Sequence, residues 1–272
     1  ASDVYKRQLL LRYSANPIHL ETLEWRDSDN KVQQLLKLTY STGGATIDLH
    51  PGAGADGYHA RYTLQMLNRV LDKIILPSED QANWRIEYAQ VNNLTCVKKL
   101  WTPFGAEEHI DYDVDGHRLP TNADRTTLPR VSEHRVYPAG AGKPHLKTTY
   151  TYQHFDTDSE TWLDHNFVGY NSGITWQDDG EDNLYRAQAD YQYSVTATFW
   201  DGNAAVRTRT HTYNRHHLMV RQTLEQDGHI EETLTRYHEA DDTPFELQPP
   251  YFQLPHVITK RWTLRSLSLI HI

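Results

Sequence analysis

The chain has 272 residues, a formal net charge of -9, 38% apolar residues and 11% aromatics. That length can bury a core, and the aromatic content argues against disorder. The acidic balance, without a basic stripe, excludes an ordinary nucleic-acid binder, and no apolar run is long enough to span a bilayer.

Tyrosine (17) far outnumbers phenylalanine (6). A ring with a hydroxyl suits a sheet whose faces are partly wet, because the OH can reach water or a neighbour. Cys96 is the single cysteine, so no intrachain disulfide and no thiolate-rich zinc site can form.

The first residues include Asp3-Val4-Tyr5-Lys6-Arg7-Gln8, and the last are Leu267-Ser268-Leu269-Ile270-His271-Ile272. Both strings resemble translated sequencing adapter at the ends of assembled metagenomic fragments. Residues 1–8 and 265–272 are therefore expected to be non-native, with the folded region at 9–264.

Within that region the apolar pattern has period two. Leu36, Leu38 and Tyr40 share a face, as do Tyr58, Ala60, Tyr62, Leu64 and Met66. Trp84, Ile86 and Tyr88 repeat the pattern, then Ile110, Tyr112 and Val114, then Leu146, Thr148, Tyr150 and Tyr152. The clearest run is Tyr191, Tyr193, Val195, Ala197 and Phe199. Such alternation fits half-buried strands and would smear around a helix. Tyr62 to Leu76 is the best helical candidate, and strand is preferred there because its first half also alternates. Thr42-Gly43-Gly44, Pro51-Gly52, Asp56-Gly57, Asp115-Gly116, Asp201-Gly202-Asn203 and Asp227-Gly228 read as hairpin turns. Residues 120–182, with four prolines between 120 and 145 and a polar stretch from Asp156, read as an irregular insertion between two β blocks.

The internal repeat is the strongest signal. Tyr112-Asp113-Val114-Asp115-Gly116-His117-Arg118-Leu119 has the form Tyr-Asp-x-x-Gly-x-x-Leu. Tyr88 to Leu94 has a related shape 24 residues earlier (112 − 88). Tyr213-Asn214-Arg215-His216-His217-Leu218 restates it, and Tyr237 follows 24 residues on (237 − 213). The Tyr112 segment resembles the signature of RHS, or YD-repeat, proteins. The stretch from Tyr213 to Leu254-Pro255 resembles the insecticidal-toxin-complex branch of that family. Tyr88 lacks the following Asp and the Gly; Tyr213 has Asn for Asp and also lacks the Gly.

That resemblance implies an all-β fold of antiparallel hairpin repeats wound into a large curved, spiralling sheet. It also implies a structural role in a bacterial shell that encloses and helps deliver a toxin polypeptide, secreted or at the cell surface. The partners would be the remainder of the parent protein, its cargo and further toxin-complex subunits. Tyr88, Leu94, Tyr112, Asp113, Gly116, Leu119, Tyr213, Asn214, Leu218 and Tyr237 are then wall-building residues, with Asp-x-x-Gly expected to form a tight turn.

No nucleophile elbow, dinucleotide fingerprint, P-loop or zincin motif occurs. No catalytic residue, metal or cofactor is therefore expected. His211 and His217 could pair across a metal only if one strand ran unbroken through both. Asp178, Gly180 and Asp182 only partly match a calcium loop. The rival class is a carbohydrate-binding or adhesin module, for which Trp162, Trp176 and Trp200 are the candidates to stack on sugar rings.

Overall fold

The alternating segments become strands. The computed structural model describes residues 8–15, 17–26, 29–52, 59–142, 145–156, 159–164, 173–240 and 242–265. Tyr58, the Asp56-Gly57 pair, Pro144, Asp241 and the terminal strings apart from Gln8 and Arg265 lie outside them. The described secondary structure is seventeen strands of antiparallel sheet and two short 3-10 helices. No described helix is long and apolar enough to cross a membrane.

The chain divides into two units. The first holds residues 1–88, 97–107 and 138–141. In it β1 (Gln8–Tyr13), β2 (Leu20–Arg26), β3 (Val32–Ser41), β4 (Gly44–Leu49), β5 (Ala60–Leu67), β6 (Val70–Ile75) and β7 (Asn83–Val91) pair each with the next, antiparallel. Next comes β8 (Leu94–Trp101). The second unit holds 89–96, 108–137 and 142–272. There β9 (Glu107–Arg118) pairs with β10 (Thr127–Tyr137), and β10 with β11 (Leu146–Asp156). Strand β11 pairs with both the short β12 (Thr161–Asp164) and β13 (Gln192–Asp201). The meander then continues through β14 (Ala204–Asn214), β15 (Met219–Gln226), β16 (His229–Tyr237) and β17 (Pro255–Leu264).

Tyr62 to Leu76 is thus a hairpin, β5–β6, and not a helix. Its turn is Asn68-Arg69, both at positive φ (51° and 67°). Asn92-Asn93, between β7 and β8, takes the same conformation (49° and 59°), and so does Asp227-Gly228 (51° and 76°). Two successive positive φ values give the turn whose twist matches the flanking strands, and asparagine is the residue after glycine that best tolerates it. The 120–182 stretch, read as irregular, contains β10, β11 and β12, and β10 runs through Pro129.

A sheet packed on one face alternates buried with exposed positions. These strands do not. All six residues of β6 are half-buried, as are most of β10 and β16. Among the described residues the buried apolar ones are only Ala60, Leu184, Ala187, Tyr191, Tyr193 and Phe252. Cross-strand side-chain pairs supply what an opposing layer would otherwise give. Arg61 faces Asp48 and donates to both its oxygens, at 2.7 and 3.4 Å. Arg207 faces Phe199 with its guanidinium 4.2 Å from the ring centre. Thr196 and Thr210 face one another with their hydroxyls 2.8 Å apart.

One contact recurs four times. Tyr40 OH donates to Leu20 O (3.0 Å), Tyr88 OH to Leu71 O (2.8 Å), Tyr152 OH to Val131 O (2.9 Å) and Tyr237 OH to Met219 O (3.1 Å). In every case the tyrosine lies on the strand after its acceptor. Continuing the registers Thr22–Lys37, Lys73–Arg85, Glu133–Thr149 and Arg221–Leu234 places each tyrosine one residue past the position opposite that acceptor. The ring lies along the neighbouring strand, and its hydroxyl satisfies a carbonyl there. A strand slipped by one residue would point the tyrosine to the other face, so the contact checks register.

Replacing Tyr88, Tyr152 or Tyr237 singly by Phe is expected to cost about 1 kcal/mol of unfolding free energy, read as a lower urea midpoint with unchanged far-UV dichroism. Equal midpoints for all three variants and the wild type would remove the contact from the account of stability.

Candidate functional site

The motif copies behave differently from one another. Tyr112 to Arg118 lies wholly inside β9, so Asp113 to Gly116 makes no turn. The expectation of a tight Asp-x-x-Gly turn, and of a hairpin at Asp115-Gly116, is corrected here. Gly116 is required for a different reason: a Cβ on it would stand 2.2 Å from Leu128 O and 2.7 Å from Arg130 N. The backbone of β10 occupies the space a side chain would need. Arg130, buried across that close approach, donates from Nε to Asp113 Oδ2 at 3.2 Å and stands 5.0 Å from the Tyr152 ring centre. The His117 ring meets Tyr152 edge-on at 4.9 Å. Burial, with Arg130 adding to it, pushes the His117 pKa down from 6.5 to about 4. Burial also pushes Tyr152 up to about 12, against the opposing pull of Arg130. Tyr112 is half-buried and its hydroxyl is pushed up by burial. Leu119 leaves the strand with its N–H on Thr126 O.

The copy at Tyr88 to Leu94 is a turn, through Asn92-Asn93, and Leu94 opens β8. Asn92 also reaches β10, its Nδ2 donating to Thr127 O and Oγ1 at 3.3 and 3.1 Å.

The copy at Tyr213 to Leu218 organises a well-packed polar cluster. Tyr213 stacks on Tyr193 opposite it, with centroids 5.2 Å apart. Asn214 ends β14 and builds the turn, its Oδ1 accepting from His216 N and Leu218 N, both at 3.0 Å. His217, where the motif has glycine, is left-handed at φ 59°. Asn214 Nδ2 donates to Glu239 Oε2. An aspartate there could make the turn but would set a second carboxylate against Glu239, which accounts for Asn in this copy. Glu239 Oε1 also lies 2.7 Å from Nδ1 of the fully buried His216, within ion-pair distance but outside hydrogen-bond angles.

Two connecting segments close over this turn. In the first, Asn183 exchanges hydrogen bonds with the Gln177 backbone (2.8 and 2.9 Å), and Asp182 caps the 3-10 helix Asn183–Arg186 through Leu184 N. Asp179 and Glu181 both accept from Arg186, at 2.6 and 2.7 Å, while Asp182, one of the residues read as a partial calcium loop, is taken up by that cap and by His217. In the second, Gln248 bonds Ala240 N, Ala240 O and Thr243 O (all 2.9 Å), beside the 3-10 helix Phe245–Leu247. Arg215, buried, ties the two together: Nη1 donates to Ala187 O at 3.0 Å and Nη2 to Thr243 O at 3.1 Å. His217 fastens the first segment to the sheet, with Nδ1 2.7 Å from Tyr193 OH and Nε2 2.8 Å from Asp182 Oδ2. One tautomer satisfies both contacts: the tyrosine donates to Nδ1, and Nε2–H donates to the carboxylate. Burial raises the Tyr193 pKa, with Tyr213, Tyr191 and Asp182 adding to it, which makes Tyr193 a hydrogen-bond donor and a poor nucleophile or base. Since β14 ends at Asn214, His211 and His217 do not share a strand.

Trp162, Trp176 and Trp200 form no common platform among the described residues. Trp162 is edge-on to Phe155, the Trp176 backbone N donates to Thr121 O, and Trp200 Nε1 donates to Thr149 Oγ1 at 2.9 Å under Lys147. A cavity of about 800 Å³ lies between Leu119–Thr127 and Gly173–Thr175. A smaller one, of about 250 Å³, opens beside Arg215 and Phe245.

The class this fold defines is an antiparallel β protein, in whose second unit the connecting segments lock onto one hairpin turn. No protein-family model matches the chain, and no curated protein matches it. Among solved structures, the N-terminal domain of the effector protein SpvB from Salmonella typhimurium strain LT2 aligns over 95% of this chain and 94% of its own, at 12% identity and a TM-score of 0.26. A TM-score this low does not establish a shared fold.

Three outcomes test this geometry. Gly116→Ala is expected to destabilise by about 2 kcal/mol or more and to speed amide exchange at Arg130, because backbone must move. Asn214→Asp is expected to lower the melting temperature at pH 7 and to recover towards wild type at pH 4, since the paired carboxylates take up a proton; Asn214→Ala should lose stability at both. For His117 the folded state binds fewer protons than the unfolded one between pH 6.5 and about 4. Stability should therefore fall through that window on acidification, by about 3 kcal/mol in all. His117→Gln should flatten that part of a stability-versus-pH curve.

Proposed function

We propose that this chain is a wall segment of an RHS-type bacterial shell, which encloses and helps deliver a toxin polypeptide from a secreted or cell-surface parent. The observation that carries this reading is the thin sheet: consecutive strands pair in sequence order while most strand residues stay half-buried on both faces. A wall needs this arrangement, because one face must meet cargo and the other solvent, so neither can be closed by a second layer. On this reading the chain performs no reaction. The buried tyrosines, Arg130 and Arg215 fix strands and connections, and the partners are neighbouring parts of the parent, its cargo and other toxin-complex subunits.

The test uses the intact parent with its cargo. Deleting the β15–β16 hairpin should expose the cargo to proteinase K, shortening its half-life at least tenfold against the undeleted parent. Cargo that survives equally long in both, or a parent that carries no enclosed polypeptide, would sink the proposal.

A further inference from the structure

Strand β14 lays Arg207, Arg209 and His211 on one face of the second unit, opposite Phe199, Ala197 and Val195 of β13. The two guanidinium carbons stand 4.2 and 6.0 Å from the centre of the Phe199 ring, so both groups are gathered over one side chain. Both arginines are half-exposed. Neither meets a carboxylate within ion-pair distance among the described residues. The other face of the same strands behaves differently: Arg221 and Arg261 both close on Glu232, at 2.6 and 3.4 Å. In a chain with 36 acidic residues against 27 basic ones, two neighbouring arginines without a carboxylate leave a place for one from outside. His211 adds no charge to the pair near neutral pH, because burial and Arg209 both push its pKa down.

Beside the pair, the same face opens a cavity of about 340 Å³ across β15 to β17, lined by Leu224, Gln226, His229, Glu231, Trp262 and Leu264 among others. Leu224 lies directly opposite Arg209, and Trp262 opposite Glu231. Trp262 and Leu264 are 71% and 60% exposed, so an apolar wall can be reached from outside. Glu231 is the one carboxylate that β14 to β17 put on this face among the described residues, and it lines the cavity. An anion is therefore drawn to the arginines and turned away from the cavity, which suits an apolar side chain. The middle strand of the cavity, β16, is two strands from β14, about 10 Å, which three residues of extended chain span. Guanidinium forks grip a carboxylate through paired N–H donors, and an apolar anchor in an adjoining pocket carries much of the energy of a protein contact. We infer that this face docks an extended polypeptide segment, with an Asp or Glu over Arg207 and Arg209 and an aromatic or aliphatic residue three positions away in the Trp262 cavity. The inference goes beyond the wall reading and does not rest on it.

The probe is the peptide acetyl-Gly-Ser-Glu-Ser-Thr-Phe-Ser-Gly-amide, titrated into the isotope-labelled full chain and followed by NMR. A Kd of about 1 mM is expected for two such contacts, with amide shifts confined to 207–211, 222–231 and 260–264. Peptides with Gln for Glu, or Ala for Phe, should each bind about fivefold more weakly or worse. The double variant Arg207→Gln, Arg209→Gln should weaken binding of the first peptide about tenfold, and Trp262→Ala about fivefold. Arg236→Gln, at an exposed arginine on the opposite face, should leave it unchanged. Should the double variant melt below the wild type, the Gln-for-Glu peptide makes the same comparison on the unaltered protein. No amide shifts at about 10 mM peptide, shifts elsewhere, or equal binding by the Gln-for-Glu or the Ala-for-Phe peptide overturns the inference. Inorganic phosphate that binds the arginines as tightly as the peptide overturns it in favour of a free anion.

Discussion

A strand half-buried along its whole length has no apolar side to decide where it sits against the next. In a layered protein an apolar face makes a one-residue slip prohibitive, because it would turn the whole face to water. Here both faces are half-buried, and that penalty is weak. Register therefore rests on contacts that reach sideways, of which the tyrosine-to-carbonyl hydrogen bond is the one that recurs at a constant offset. The arginines act similarly where they face a carboxylate or ring on the next strand. This explains the composition: long, amphipathic, hydroxylated and guanidinium side chains replace the aliphatic interior of a two-layer fold.

The strands were legible because alternation is a local signal, and it survives even when both faces are partly wet. Turns were legible where glycine marks them, as at Asp227-Gly228. Asn68-Arg69 and Asn92-Asn93 escaped because asparagine reaches positive φ without a glycine beside it, and a pair of unremarkable polar residues carries no other mark. Asp115-Gly116 misled for the converse reason. Its glycine answers to crowding by β10 and not to a turn, and only the neighbouring strand reveals that. The best-matching motif copy is thus a straight strand, while the poorer copy at Tyr213 makes the turn.

The polar cluster was less legible. Tyr213, Asn214 and Leu218 were singled out from their order along the chain, yet what they organise depends on residues far away in sequence. Asp182, Tyr193 and Glu239 meet the turn across 35, 24 and 25 residues of separation. No spacing rule links them. Arg215 could have drawn notice only as an arginine inside a motif built from short residues. The replacement of Asp by Asn is intelligible only once Glu239 is seen beside it.

Most described ladders join strands adjacent along the chain, and β11 with β13 is one that does not. Bringing such partners together closes mostly short loops, so little chain entropy is lost at most steps. The same arrangement means that tension on one end loads a single ladder at a time. Such a polypeptide would peel strand by strand at modest force, where a two-layer sandwich would resist and then rupture all at once.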